Sequence, residues 1–349
     1  MAFVNNTPSS AAVLRSSLAL SSLHRSGVQT QAVELKIAAL NALSAASNRE
    51  IGNIEIIQHV AAGMLLCSFE IYQASCTSGQ WRSYITGAKS VIKASPSDTF
   101  ARNSGFDALL DWVHYHDVLS HFSLTHWHPP KIERSLTDLD VHVDTPSPLV
   151  DTDNPGMEMM HSTQSPFTTI LKLLTDVCDL VAVAPAQMTP SKESDNFKSY
   201  LKILAWRIQS IPISDTTVHK YPGMVTIIEV FQLATLVYLN RVSKNIIESA
   251  AKTQQWIERA FSIFSELDSC ERQFPLFILG CEARTDEERC IVLDLICRTE
   301  KRDSSRTLFL TKKLIEAIWA QNDLSQGQIE YTEKLSAIIS CCTILPTFV

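Results

Sequence analysis

The feature that most constrains this chain is the spacing of its apolar residues, which return at three- and four-residue steps along most of its length. Ala32, Leu35, Ala39, Ala42, Leu43 and Ala46 fall on one face of a 3.6-residue helix. Trp256, Ala260, Ile263 and Phe264 form a second stripe of the same kind, read as core packing. The alternation at Val141–Val143 is too short for a strand. Glycine is scarce, at 10 residues, which suits helices joined by short turns better than a sheet built from hairpins.

The periodic segments run Ile54–Ala74, Trp81–Ala94 and Phe106–Leu124, with a stop and restart at Ser95-Pro96-Ser97-Asp98. They resume at Phe167–Val183, Asn196–Ser210, Met224–Ile246, Ser249–Leu267, Phe274–Ala283, Asp286–Lys301, Arg306–Gln321 and Gln328–Cys341. The expected fold is all-α, about a dozen helices packed as antiparallel pairs. Residues 129–166 have another texture. They hold six of the 14 prolines, together with Asp138, Asp140, Asp144, Asp151 and Asp153, and few large apolar residues. Such a stretch buries too little surface to offset its ordering entropy, so a flexible acidic linker is expected there. It separates an N-terminal helical half, 8–128, from a C-terminal half, 167–349.

Composition closes several routes. Neither G-x-G-x-x-G nor G-x-x-x-x-G-K-[ST] occurs, so those phosphate cradles are absent from the sequence. The net charge is −7, and the 30 Lys and Arg are scattered. The densest groups, Lys301-Arg302 with Arg306 and Lys312-Lys313, read as solvated helix faces, and direct nucleic-acid binding by this chain alone is not expected. None of the nine cysteines forms a C-x-x-C pair, and the N-terminus has no secretory pattern, so thiols that are mostly buried, in a reducing compartment, are expected. The most apolar stretches, His59–Tyr72 and Met224–Leu239, are shorter than the roughly 20 residues of a membrane span, and no membrane association is expected.

One cluster invites a chemical reading. Asp111, His114, His116, Asp117 and His121, followed by His126 and His128, concentrate half of the ten histidines in a short stretch. On a helix His114, Asp117 and His121 share a face, and His116-Asp117 resembles the doublet of helical metal-dependent hydrolases, with His59 as an added ligand. Against it, His116 turns toward Leu109 and Trp112, where a histidine is ordinarily buried with its N–H on a carbonyl. No H-E-x-x-H and no His pair at i,i+4 is present, so neither a metal site nor a cofactor is assigned. No G-x-S-x-G elbow occurs, Cys281 and Cys290 have no histidine near them in sequence, and Asp286-Glu287-Glu288 reads as a helix start. No catalytic residue is nominated, and an enzyme is not expected.

Four segments carry a family resemblance. Leu66–Tyr72 with Gln80–Ile92, Tyr115–Leu119, Leu233–Val242 and, above all, Phe274-Pro-Leu-Phe-Ile-Leu-Gly-Cys-Glu-Ala283 followed by Asp286 and Arg289 occur in that order. This series resembles the fungal-specific transcription factor domain, the regulatory region of zinc-cluster transcription factors. Trp319 corresponds to a later family tryptophan, and Tyr331 stands where a second is usual. Pro275 suits a helix opening and Gly280 a close helix approach, so the signature reads as packing rather than as a ligand site.

The resemblance implies a transcription-regulator-like protein in the nucleus, with the cytoplasm as the alternative. It would work through protein partners, either the transcription machinery or a DNA-binding regulator, with a small-molecule effector as a further partner. Control of a secondary-metabolite gene cluster is the pathway the resemblance suggests. The basic six-cysteine cluster that reads DNA in such factors has no counterpart in this sequence, so its DNA-binding residues transfer to no position here. The expectation is a truncated or split regulator, or one that acts through another protein.

Overall fold

Local signals set the first helix. The Thr7 hydroxyl accepts from the Ser10 N–H at 3.2 Å, Pro8 occupies the first turn, and Gly27 ends the run at φ 69° with its N–H on the Leu23 carbonyl at 2.8 Å. This helix, α1 (Pro8–Ser26), begins a chain whose computed structural model describes residues 7–47, 52–73, 79–95, 106–128, 165–187, 193–212, 224–302, 305–325 and 329–349. Twelve more helices follow among the described residues: α2 (Thr30–Ser47), α3 (Asn53–Tyr72), α4 (Gln80–Ala94), α5 (Asp107–His126), α6 (Pro166–Gln187) and α7 (Glu193–Gln209). Then come α8 (Met224–Val242), α9 (Ala250–Glu266), α10 (Gln273–Gly280), α11 (Asp286–Arg302), α12 (Arg306–Leu324) and α13 (Tyr331–Ser340). The described residues contain no strand, and the fold is all-α.

Helices adjacent in the chain pack side by side: α1 on α2, α3 on α4, α5 on α6, α8 on α9 and α12 on α13. In the first pair, Ala12, Ser16 and Ala19 face Ala32, Ala39, Ala42 and Ala46, all buried. Small side chains let these two backbones approach closely, and so the alanine stripe read from sequence is a contact face. Beyond the pairs, α8 forms the hub, touching α6, α7, α9, α10 and α13. Most of its residues are buried. The largest core runs from Tyr115 and Phe122 on α5 through Phe231, Phe274 and Phe277 to Phe348 near the end of the chain. Phe122 sits at its centre, edge-on to Phe274 at 5.0 Å and to Phe348 at 5.4 Å.

Two expectations need correction. The apolar stretches judged too short for a membrane lie in helices that are long enough: α3 has 20 residues and α8 has 19. The added turns carry residues such as Asn53 and Gln58 that the apolar reading left out. What places these helices in a core is burial, with 67% and 72% of their apolar windows covered by the fold. The α8 helix also stops at Val242, before the expected Ile246, because Lys244 and Asn245 adopt left-handed φ of 57° and 58°. The Asn245 N–H closes on the Asn240 carbonyl at 2.7 Å. Asn240, itself buried, donates to the Thr253 hydroxyl at 2.6 Å and accepts from the Glu248 N–H at 3.1 Å, which turns the chain into α9. The expected linker 129–166 lies outside the described residues, save Ser165 and Pro166 at the start of α6.

Candidate functional site around the signature helix

All eight residues of α10 are buried, so the segment Phe274–Ala283 is the middle of the molecule rather than a surface motif. Pro275 stands in its first turn, where its missing N–H costs nothing. Gln273 anchors the entry by donating to the Thr307 hydroxyl at 2.5 Å and accepting from that of Thr311 at 2.9 Å. At the other end Gly280 faces α12 so closely that a Cβ there would lie 2.9 Å from Ile315 Cδ1 and 3.3 Å from Val292 Cγ1. The close approach expected of this glycine is therefore real, and its reason is steric.

The chain after Gly280 enters a cleft of about 890 Å³ between α8, the start of α11, α12 and α13. Glu282 is buried and takes a two-pronged contact from Arg241, at 3.1 Å from Nε and 2.7 Å from Nη2. Burial opposes the charge on Arg241, but its bonds to Glu282 outweigh that and raise its pKa. Arg289 binds both oxygens of Asp323, at 2.9 and 2.7 Å, and lies over the Trp319 ring at 5.5 Å. Lys334 donates to Asn322, and Lys244 pairs with Glu330 at 3.2 Å. The Tyr331 hydroxyl is buried without a hydrogen-bond partner among the described residues, and burial followed by the charge of Glu282 pushes its pKa well above the phenolic range. Burial and the same carboxylate raise Cys281 well above an ordinary thiol, which keeps it protonated. Among the described residues no histidine lines this cleft. Its charges answer one another, an arrangement suited to holding a surface in shape. The exposed acids at the start of α11 act as expected of a helix start, since Glu288 accepts from the Thr285 N–H at 3.0 Å while Thr285 caps Glu288 at 3.2 Å.

The histidine-rich helix α5 distributes its groups instead of gathering them. Asp117 gives both oxygens to Lys89 on α4, at 2.8 and 2.7 Å. His121 pairs with Asp179 on α6 at 2.8 Å. His114 is half-buried with Nε2 unpartnered among the described residues, and burial lowers its pKa, as it does for His59 on α3. His126 lies in the core between the Tyr238 hydroxyl at 2.7 Å and the Ser336 hydroxyl at 3.2 Å, and burial depresses its pKa to about 3. The exposed His128 is tied through its backbone N–H to Ser340 at 2.7 Å. No group of three or more His, Cys, Asp or Glu side chains is placed to hold a metal ion among the described residues.

His116 turns to Trp112 as expected, but its partner differs from the expected carbonyl. The Trp112 indole N–H donates to His116 Nε2 at 2.8 Å, and Nδ1 is buried with no partner among the described residues. Sequence reading missed one neighbour altogether. Arg272, just ahead of α10, lies over the Tyr115 ring at 4.4 Å, and it belongs to none of the motifs.

Comparison with known proteins agrees with this architecture. Residues 2–340 match the family described as fungal specific transcription factor domain. The chain is 42% identical over 351 residues to "Transcription factor iacI" of Pestalotiopsis fici, an alignment that covers 100% of this chain and 87% of that protein. No solved structure matches. A family match over nearly every residue, with its signature helix at the centre of the core, leaves one assignment: the chain belongs to the fungal-specific transcription factor domain family and is, in class, a transcription regulator.

Proposed function

We propose that this chain acts in the nucleus as a regulator of a secondary-metabolite gene cluster, working through protein partners rather than by reading DNA itself. The observation that carries this reading is the match over the whole chain to a relative named as a transcription factor. A net charge of −7 supports the second half, because a surface that neutralises phosphates needs a cationic stripe. The halves 8–128 and 167–349 then act as one regulatory unit, a reading supported by the packing of α5 against α6 and α13. No catalytic role is assigned. The alternative of a metal-dependent hydrolase would need the Asp117 carboxylate, which Lys89 already occupies.

Two measurements on the full chain test this. A fluorescent fusion in the native fungus should concentrate in nuclei. Purified chain should leave the anisotropy of labelled duplex DNA unchanged at micromolar protein, while crosslinking in nuclear extract joins it to another regulator or to the transcription machinery. Tight, salt-dependent binding of the isolated chain to DNA would overturn the partner-mediated reading.

A further inference from the structure

Between the end of α3, the middle of α5 and the entry to α10 lies a second cavity, of about 300 Å³. That is the lower end of the range for small-molecule pockets, about 300 to 1,000 Å³. Tyr72, Trp112 and Tyr115 contribute aromatic walls, and His116 and Arg272 contribute polar groups.

The protonation of His116 follows from its neighbour. Indole nitrogen can only donate, so His116 Nε2, 2.8 Å from Trp112 Nε1, must be the accepting nitrogen. Burial, aided by the positive charge of Arg272, lowers the His116 pKa to about 4, so the ring is neutral at physiological pH. A neutral imidazole with a bare Nε2 carries its proton on Nδ1. Nδ1 is buried and meets no acceptor among the described residues, and His116 as a whole is only 6% exposed. An unanswered buried N–H donor costs folding energy, and such donors are rare.

The second donor is cationic. The Arg272 guanidinium lies 4.4 Å over the Tyr115 ring and 5.5 Å over Phe167. Among the described residues no carboxylate lies within ion-pair distance of it. Glu271 beside it is exposed and reaches toward Arg302, at 4.0 Å. The C-terminal Val349 also touches this wall, and its carbonyl oxygen is near the Thr307 hydroxyl at 3.5 Å. Of the other polar groups at the site, Thr299 accepts from the Cys270 N–H at 2.9 Å and Gln273 is held by Thr307 and Thr311, while the Tyr115 hydroxyl is buried with no hydrogen-bond partner among the described residues.

The geometry points to this cavity as a binding site for a small organic carboxylate with an aromatic or unsaturated body. Its carboxylate would accept from Arg272, and its body would lie against Tyr72, Trp112, Tyr115 and the neutral ring of His116. A guanidinium stacked on aromatic faces holds a carboxylate with fixed direction, which a lone ammonium would not do. That such a ligand serves as an effector rests on the regulatory reading above. That it binds does not.

Calorimetric titration of the purified full chain tests the site with phenylacetate, 3-phenylpropanoate and cinnamate, each against its neutral primary amide. At least one acid should bind, about tenfold or more tighter than its amide, since hydrogen bonds to charged groups carry that much free energy. Arg272→Gln should weaken binding by a similar factor, while Arg302→Gln, on the outer side of Glu271, should leave it unchanged. Circular dichroism shows whether each variant is folded, and the acid–amide comparison needs no variant. Equal binding of acid and amide, undiminished binding to folded Arg272→Gln, or no binding of any of the three acids at millimolar concentration would each overturn the site. A strain carrying Arg272→Gln then reads the effector role separately, through transcript levels.

Discussion

The Trp319 indole N–H donates to the carbonyl oxygen of Gly280 across 2.8 Å, tying the middle of α12 to the last residue of the signature helix. The same glycine leaves room for Ile315, one turn earlier on α12, whose Cδ1 would lie 2.9 Å from an added Cβ. Gly280→Ala should therefore destabilise the fold by about 1–3 kcal/mol through overpacking. Ile315→Val removes the obstructing methyl and should restore part of that loss in the double variant. Urea unfolding of the two single variants and the pair measures it, and strict additivity would show that the contact is not the cause.

Arg241 and Glu282 form the buried ion pair of the cleft, with side chains 18% and 4% exposed. Removing one partner strands the other. Glu282→Ala should cost about 3–5 kcal/mol, whereas the double replacement Arg241→Met with Glu282→Leu should cost much less. Chemical denaturation again decides, and equal losses in single and double variants would remove the pair from the account.

Two buried imidazoles make stability depend on pH. The folded chain holds His116 near about 4 and His126 near about 3, both chiefly through burial. Unfolded histidine titrates near about 6.5, so below that pH the unfolded chain binds more protons and stability falls with pH. Their contribution is complete above about pH 6.5 and is lost progressively toward about pH 3–4. At pH 5 each imidazole costs about 2 kcal/mol relative to pH 7. His126→Gln should reduce the difference in unfolding free energy between pH 7 and pH 5 by about 2 kcal/mol. An unchanged difference would mean that His126 is not held neutral.

Chelation should leave the fold untouched. Purified protein is expected to carry less than about one-tenth equivalent of transition metal, and its melting midpoint should not move on dialysis against EDTA. Stoichiometric metal lost together with several degrees of midpoint would revive the hydrolase reading of His116 and Asp117.

Much of the fold was readable because it is written locally. Periodicity exposed the helical segments, and Phe274–Ala283 stood out before its surroundings were known. The end of α8 was not readable, because its stop depends on Asn240 reaching Thr253 and Glu248, a polar turn inside an apolar-looking run. The fates of Asp117 and His121 were equally hidden, since their partners Lys89 and Asp179 come from other helices and nothing in the spacing of α5 names them. The 300 Å³ cavity escaped for the same reason: His116 was read against its own helix, and Arg272 fell between motifs. Sequence patterns show which face of a helix is buried. They do not show what meets it.

Transcript profiling of a strain lacking this gene, compared with the same strain after complementation, tests the regulatory assignment most directly. The account predicts that a co-located set of biosynthetic genes loses its transcripts on deletion and recovers them on complementation. Deletion that leaves every transcript unchanged under conditions where the chain is expressed would contradict it.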